Sequence, residues 1–417
     1  MPRRGLFSYE NALVLILGLT FGVVFFDRQA ASNLMLFIKP DLHLNNTEVG
    51  LIGSALAVTW AISAFLVGLL SDRTGKRKAI LIVCVVGFSV CSAVSGMAHS
   101  FPVLAASRFF MGMLEGGVMP ICLAIMAVES SERRRGINAG IVQNGFSNLV
   151  GNSLGPIVLT LIATWLSWRE AFYLAAVPGL LCALAIWLWV KEPPKVAFEH
   201  ETHPGGMGVL QMLKVRNVIV CSACSIFLVA WLITGFAFIP LVLGEFRKID
   251  RPTVGLVMGA LGFCAFLGGL LMPGLSDRIG RKPVLIFGSF IGVLTPLAAV
   301  YFHGPIVILA LLMLIGWITN GIFPMFMGTI PGESLPRANI ATGMGIVVGV
   351  GEVLGGVAGP FLAGQLADRT SLGLQAPMFM MVGCAVISGC LALLLTETAP
   401  AKVGVSGGQA IPAKLAA

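Results

Sequence analysis

Charge is scarce in this chain. Asp, Glu, Lys and Arg make up only 11% of its 417 residues, against roughly 25% in an ordinary soluble domain. Most of its surface must therefore face lipid, and too little chain lies outside the apolar runs for a separate soluble domain. Histidine is scarce too. All five fall in loops, which argues against a histidine proton relay. No nucleophile-base arrangement, metal-ligand cluster or phosphate loop is visible, so neither an enzyme nor a cofactor is expected. The nine cysteines all fall within apolar stretches, and Cys221-Ser-Ala-Cys224 has no second pair or histidine nearby. They read as small packing residues, not ligands or redox pairs.

What the chain has is apolar length. Hydrophobic residues reach 57%, and they gather into twelve runs near 11–38, 48–71, 79–98, 101–128, 136–164, 169–190, 217–244, 253–275, 283–302, 304–329, 338–366 and 376–396. Each is close to the ~20 residues that cross a bilayer core. The first run is too long for a signal-peptide core and no small-residue cleavage site follows it, so it reads as retained. A net charge of +8 could suggest a nucleic-acid partner, but its distribution argues otherwise. With a cytoplasmic N-terminus, 19 of the 27 Lys and Arg fall in loops on that side. The opposite loops hold Lys39, Arg169, Arg247, Lys248, Arg251 and Arg369, and Arg28 and Arg108 lie within runs. This positive-inside bias puts both termini in the cytoplasm. The lipid bilayer is the expected partner, and nucleic acid is not.

The sequence also repeats itself. Gly68-Leu-Leu-Ser-Asp72-Arg73-Thr-Gly75-Lys76-Arg77-Lys78 recurs as Pro273-Gly-Leu-Ser-Asp277-Arg278-Ile-Gly280-Arg281-Lys282-Pro283. Gly145-x5-Gly151-x3-Gly155-Pro156 recurs as Gly349-x5-Gly355-x3-Gly359-Pro360, a spacing that lets helices approach closely in lipid. Between the halves, 191–216 holds Lys191-Glu-Pro-Pro-Lys195 and His203-Pro-Gly-Gly206, which break the helical pattern. The expected organisation is a six-helix bundle over 1–190, a cytoplasmic linker over 191–216, a second bundle over 217–396 and a disordered, Gly- and Ala-rich tail over 397–417.

The twinned loop resembles the signature of the major facilitator superfamily, whose copies follow the second and eighth spans, as here. The resemblance implies an all-α membrane fold of twelve helices in two pseudo-symmetric bundles around a central cavity, alternating in access by rocking, with a monomer as default. It also implies gating roles for Gly68, Asp72, Arg73, Gly75, Arg77, Asp277, Arg278, Gly280 and Arg281. The acidic residues would anchor contacts between helices, and the basic residues would bridge to neighbouring helix ends.

Four charges stand where charge is expensive. Asp27 and Arg28 interrupt the first run, while Arg108 and Glu115 share a face of the fourth, ~10 Å apart along its axis. Each would cost roughly 2.5–3.5 kcal/mol at mid-membrane, so they are expected to face a wet cavity and one another. Buried ion pairs stabilise poorly, which favours a transport role over a merely structural network. These residues resemble the anion:cation symporter family, through Asp27-Arg28 and Ser107-Arg108-Phe-Phe-Met-Gly112-Met-Leu-Glu115-Gly116-Gly-Val-Met-Pro120. That resemblance implies substrate binding at Arg28 and proton handling at Asp27 and Glu115, with Arg108 organising the glutamate. Phe26 stands where such carriers often have tyrosine. Spinster-like lysolipid carriers share the same charged pattern.

Other polar groups lie on the spans. Asn144, Asn148 and Asn152 recur every fourth residue, either to bind substrate hydroxyls or to tie helices together. Glu352 aligns with Asn148 and is the third deep acid against two arginines, so one acid is expected to carry a proton at rest. Trp231 and Asn320 are further candidates for lining the substrate site. Gly151-x3-Gly155-Pro156 lacks the glycine pair that ends the antiporter motif, Val158-Leu159 standing there instead, and reads as packing. The expected activity is proton-coupled symport of a small organic anion. A Spinster-like amphiphile carrier and a proton-driven efflux antiporter are the alternatives.

Overall fold

The computed structural model describes residues 8–131, 134–193, 207–336 and 339–403. Among them every regular element is a helix, as hydrocarbon requires, since an unpaired peptide group there costs several kcal/mol. Twelve helices are long and apolar enough to span: Tyr9–Arg28, Asn46–Thr74, Arg77–Gly96, Phe101–Glu129, Arg135–Trp165, Trp168–Trp189, Arg216–Phe246, Arg251–Ile279, Arg281–Tyr301, Ile306–Ser334, Thr342–Arg369 and Gln375–Ala392. They are called the first to twelfth helices below. Large apolar side chains such as Phe65, Leu181 and Leu271 are exposed on them, as expected for lipid-facing positions. Arg3, Arg4, His200, His203, linker residues 194–206 and the tail beyond Val403 lie outside the described residues.

The first run differs from expectation. It is broken into Tyr9–Arg28, Ala30–Asn33 and Met35–Asp41, with the first break directly after Asp27-Arg28. There the Gln29 N–H reaches the Phe25 carbonyl at 3.1 Å, the last helical bond before the break. The early turn ends the regular i→i+4 ladder and leaves the Asp27 carbonyl for a side-chain donor.

Contacts group the described residues into two compact units, one from Met1–Ala197 with Leu243–Phe263, the other from Phe198–Val242 with Cys264–Ala417. The grouping departs from chain order because glycines on the seventh and eighth helices sit close against the first unit. A Cβ at Gly244 would meet Leu36, one at Gly255 would meet Thr160 at 2.8 Å, and one at Gly262 would run into the Asn152 carbonyl.

Within each unit the duplicated glycines make the same kind of seam. In the first unit Gly151 lies against Phe25, and Gly22 meets the Phe146 carbonyl, 2.9 Å from where its Cβ would stand. In the second, Gly355 lies against the Ile226 carbonyl and Gly359 against Ala230, at 2.9 Å. The fifth and eleventh helices thus each pack main chain to main chain, on the first and seventh helices respectively. Both also widen into π-helix at the seam, over Ile141–Gly145, Ser147–Leu154 and Gly351–Gly356. Such turns are rare and gather at functional sites.

These seams set opposite expectations for neighbouring glycines. Gly355→Ala is expected to lower stability by about 1–3 kcal/mol through overpacking. Gly349→Ala, whose new methyl would meet nothing within 4 Å, should be neutral or stabilising by up to ~1 kcal/mol. Thermal unfolding of both variants in detergent checks the contrast.

Candidate functional site

Three of the four expected charges do not face a wet cavity. Asp27, Arg108 and Glu115 are 0%, 1% and 0% exposed, enclosed within the first unit. Groups on four helices converge there and satisfy the charges in part, while Asp27 Oδ2, Arg108 Nε and Nη2 lack hydrogen-bond partners among the described residues. Arg108 Nη1 donates to the Asp27 main-chain carbonyl at 3.1 Å, closing the broken end of the first helix, and stands 4.0 Å from Asp27 Oδ1. Its guanidinium lies over the Phe172 ring at 4.7 Å, and Nη1 also reaches the Met111 sulfur at 3.0 Å. Asp27 Oδ1 accepts from the Ser92 hydroxyl at 2.7 Å. A cation at a helix C-terminus complements the dipole, so main-chain and side-chain charge hold Arg108 together.

Glu115 is one side of the same group, within electrostatic reach of Asp27, Arg28 and Arg108. Among the described residues neither of its carboxylate oxygens has a hydrogen-bond partner. Gly112 and Gly116 bring its helix against the second, where Thr59 Oγ1 donates to the Phe109 carbonyl at 2.8 Å.

Arg28 points elsewhere. It is half-buried, its guanidinium over the Trp60 ring at 4.6 Å and the Phe25 ring at 5.7 Å. The Trp60 indole N–H is buried and lacks a partner among the described residues. The adjacent Asp27-Arg28 pair is therefore split, the acid turned into the bundle and the base laid on an aromatic seat. Trp60, Ser92 and Phe172 were not singled out in the sequence, because nothing in spacing marks a lone aromatic or serine on an apolar run.

The asparagine stripe hydrogen-bonds along itself. Asn152 Nδ2 donates to Asn148 Oδ1 and Asn148 Nδ2 to the Asn144 carbonyl, both at 3.0 Å. Asn144 is exposed, Asn148 half-buried and Asn152 buried. The stripe lies on the π-helical stretch, whose freed carbonyls such amides can reach.

In the second unit Glu352 is half-buried on the π turn of the eleventh helix. Trp231 does not line a site in this structure. It is fully buried, tilted against Trp317 at 4.8 Å, and its N–H donates to the Gly292 carbonyl at 3.2 Å. Asn320 is half-buried and caps its own helix through the Trp317 carbonyl at 3.0 Å.

Each duplicated loop carries an aspartate–arginine ion pair, though the arginines are not equivalent, Arg281 aligning with Lys76. Asp72 meets Arg77 at 3.2 Å and Asp277 meets Arg281 at 2.6 Å. Gly75 and Gly280 take positive φ, 69° and 112°, which explains why both copies keep glycine at the turn. Arg281 also reaches Glu333 at the end of the tenth helix, at 2.8 Å. Gly68 lies near Pro120 of the fourth helix, while Arg73 and Arg278 are exposed. A further duplicated pair escaped the sequence reading. Glu192 accepts from the Lys78 N–H at 3.0 Å, and Glu397 from the Arg281 and Lys282 N–H groups at 2.8 and 3.1 Å. Each acid thus caps the helix after its loop. Burial alone would push Glu397 up, but backbone N–H groups of Ala399, Arg281, Lys282 and Thr398 hold its carboxyl below the usual glutamate value.

Comparison with known proteins bears on the family and the fold. The family model described as Major Facilitator Superfamily matches residues 17–248 and 219–417. The chain is similar to the cis,cis-muconate transport protein of Acinetobacter baylyi, 28% identical, covering 84% of each chain. It is similar to the hexuronate transporter of Bacillus subtilis, 26% identical over 93% of this chain and 95% of that one. In fold it is similar to a bacterial homologue of the human lysosomal transporter Spinster in its inward-facing, unoccupied conformation. The TM-score is 0.78 at 18% identity, covering 94% of this chain and 97% of the other.

The buried group makes a prediction about coupling. Arg108→Gln should cost about 3–5 kcal/mol, since it leaves the buried Asp27 without its cation. Adding Asp27→Asn should restore part of that loss. A double-mutant cycle by thermal unfolding reads the coupling, and strict additivity would show that the two do not act as a pair.

Proposed function

The chain belongs to the Major Facilitator Superfamily, and we propose that it is a secondary transporter carrying a small organic anion, a carboxylate or sugar acid, together with protons. Arg28 carries this reading. Its guanidinium plane rests on Trp60, and such a plane matches the two oxygens of a carboxylate. The buried Trp60 N–H offers one more donor beside it, and the amides of Asn144 and Asn148 suit hydroxyl or second carboxylate groups. The names of the similar proteins, muconate and hexuronate carriers, support an acid as the cargo.

Asp27 and Glu115 hold the transported proton. An ionised carboxylate without partners in a dry interior costs several kcal/mol, and Glu115 has no partner for either oxygen among the described residues. Arg108 and Ser92 fix Asp27 in place. When the outer, acidic side protonates this group, the interior loses a negative charge and Arg28 holds the anion more firmly. When the proton leaves inside, the restored negative charge draws on Arg28 and weakens its hold. Loading both together keeps the charge balanced through each cycle, so neither proton nor anion crosses alone. The carrier works as a monomer in a bacterial inner membrane, with both termini in the cytoplasm. The loop pairs at Asp72–Arg77 and Asp277–Arg281 form and break with access.

Uptake of labelled cis,cis-muconate and a labelled hexuronate into proteoliposomes tests this. An acid-outside gradient is expected to accelerate accumulation of at least one acid. Arg28→Gln should lower its transport roughly 10- to 150-fold, the worth of a hydrogen bond to a charged group. Asp27→Asn and Glu115→Gln should still exchange the anion but no longer concentrate it. Undiminished accumulation by Arg28→Gln would overturn the reading, and an amphiphile carried in place of either acid would favour a lipid carrier. Glu352→Gln is expected to shift substrate preference or pH dependence while inserting normally. A wild-type pH profile with unchanged preference would remove Glu352 from the site.

A further inference from the structure

Cationic side chains gather around a cavity at the end of the first unit that holds Met35–Asp41. A cavity of about 620 Å³ is lined there by Leu36, Lys39, Pro40, His43, Glu245 and Arg251, among others. Known ligand pockets run from roughly 300 to 1,000 Å³, so a single-ring or six-carbon acid fits. Lys39 Nζ meets Glu245 at 2.7 Å, pinning the end of the seventh helix to the segment that follows the broken first helix. Arg251 opens the eighth helix, exposed, with its guanidinium over the Phe37 ring at 4.4 Å, and meets no carboxylate among the described residues. Of the other acids nearby, Asp41 is taken up by Arg169 at 2.7 Å and by the Trp168 N–H at 3.1 Å, and Asp250, outside the cavity lining, accepts from the Thr253 N–H at 3.0 Å. Two cations therefore face one carboxylate across a water-accessible cavity.

We propose that this cavity captures the anionic cargo before it reaches Arg28, and that the cargo carboxylate does so by displacing Glu245 from Lys39. Binding would then undo the Lys39–Glu245 tie. The internal carboxylate acts as a stand-in for cargo: it holds the tie closed until a competing acid takes its place beside Lys39 and Arg251. The inference rests on the anion-transport reading above, but it makes its own demands. A purely mechanical tie would be broken alike by loss of either partner. A tie that cargo competes for must respond in opposite directions.

The test measures exchange of labelled cis,cis-muconate and hexuronate, supplied from outside, in proteoliposomes of the full chain. Lys39→Gln and Arg251→Gln are each expected to raise the half-saturating concentration about three- to fivefold, the worth of one exposed charge contact. Glu245→Gln should lower it. Both effects should shrink as ionic strength rises, because exposed charges are screened. Matching shifts in Lys39→Gln and Glu245→Gln would overturn the proposal. Calorimetric titration of the same acids into Arg28→Gln protein separates the two readings. Weak, salt-sensitive binding that vanishes on adding Lys39→Gln supports the outer site even if no transport is seen. No binding to the Arg28→Gln protein, or binding that Lys39→Gln leaves unchanged, overturns it.

Discussion

A guanidinium with 1% exposure is the constraint around which the first unit is arranged. Removed from water, Arg108 requires acceptors, and the chain supplies one by ending a helix early. The early turn at Gln29 leaves the Asp27 carbonyl for Arg108, and the Asp27 carboxylate, Ser92 hydroxyl and Phe172 ring complete its surroundings. The same break fixes which way the two neighbouring charges face. Asp27 turns toward Arg108, and Arg28 is left on the opposite side, against Trp60. The proposed division of labour between a proton-handling interior and an anion-holding arginine would thus follow from where one helix stops.

The two units share a frame and differ in what they put on it. Both use glycine seams, π-helical turns and acid caps at matching places. The first unit fills its interior with ionisable groups. The second fills the comparable space with Trp231, Trp317 and Phe236, packed ring against ring, and keeps Glu352 half-buried on the π turn of the eleventh helix. Duplicated scaffolding with unequal contents assigns the charged chemistry to one unit and much of the rigid aromatic packing to the other.

The fold was legible because its signals are long. Twenty-residue apolar runs and an eleven-residue loop repeated at fixed offset survive any local irregularity, and the spans fall close to the expected limits. The first span was misread because no proline or glycine marks its break at Gln29; a side-chain contact from another helix, invisible in sequence, stabilises it there. Burial of Asp27, Arg108 and Glu115 was missed for a related reason. Cost alone argued for water, whereas their partners come from runs of serine and aromatic residues that carry no signature. Trp231 misled in the opposite sense: a tryptophan on a span looks like a binding group, yet its N–H is satisfied by Gly292. The caps at Glu192 and Glu397 lay outside the duplicated loops and so outside the comparison that revealed them.

The seam between the fifth and eighth helices has a consequence for how such a carrier can diverge. At Gly262 the neighbour is the backbone of Asn152, and at Gly259 it is the Ser153 carbonyl together with the Ile157 side chain, both 2.6 Å from where a Cβ would stand. Where the neighbour is a peptide group, the surface is the same whatever the side chains beyond it, so selection can alter the residues pointing away from the seam without disturbing the fit there. Lineages can thus drift far apart in composition and acquire new cargoes while inheriting an unaltered bearing, provided that the few hydrogen-sized positions along it are never enlarged.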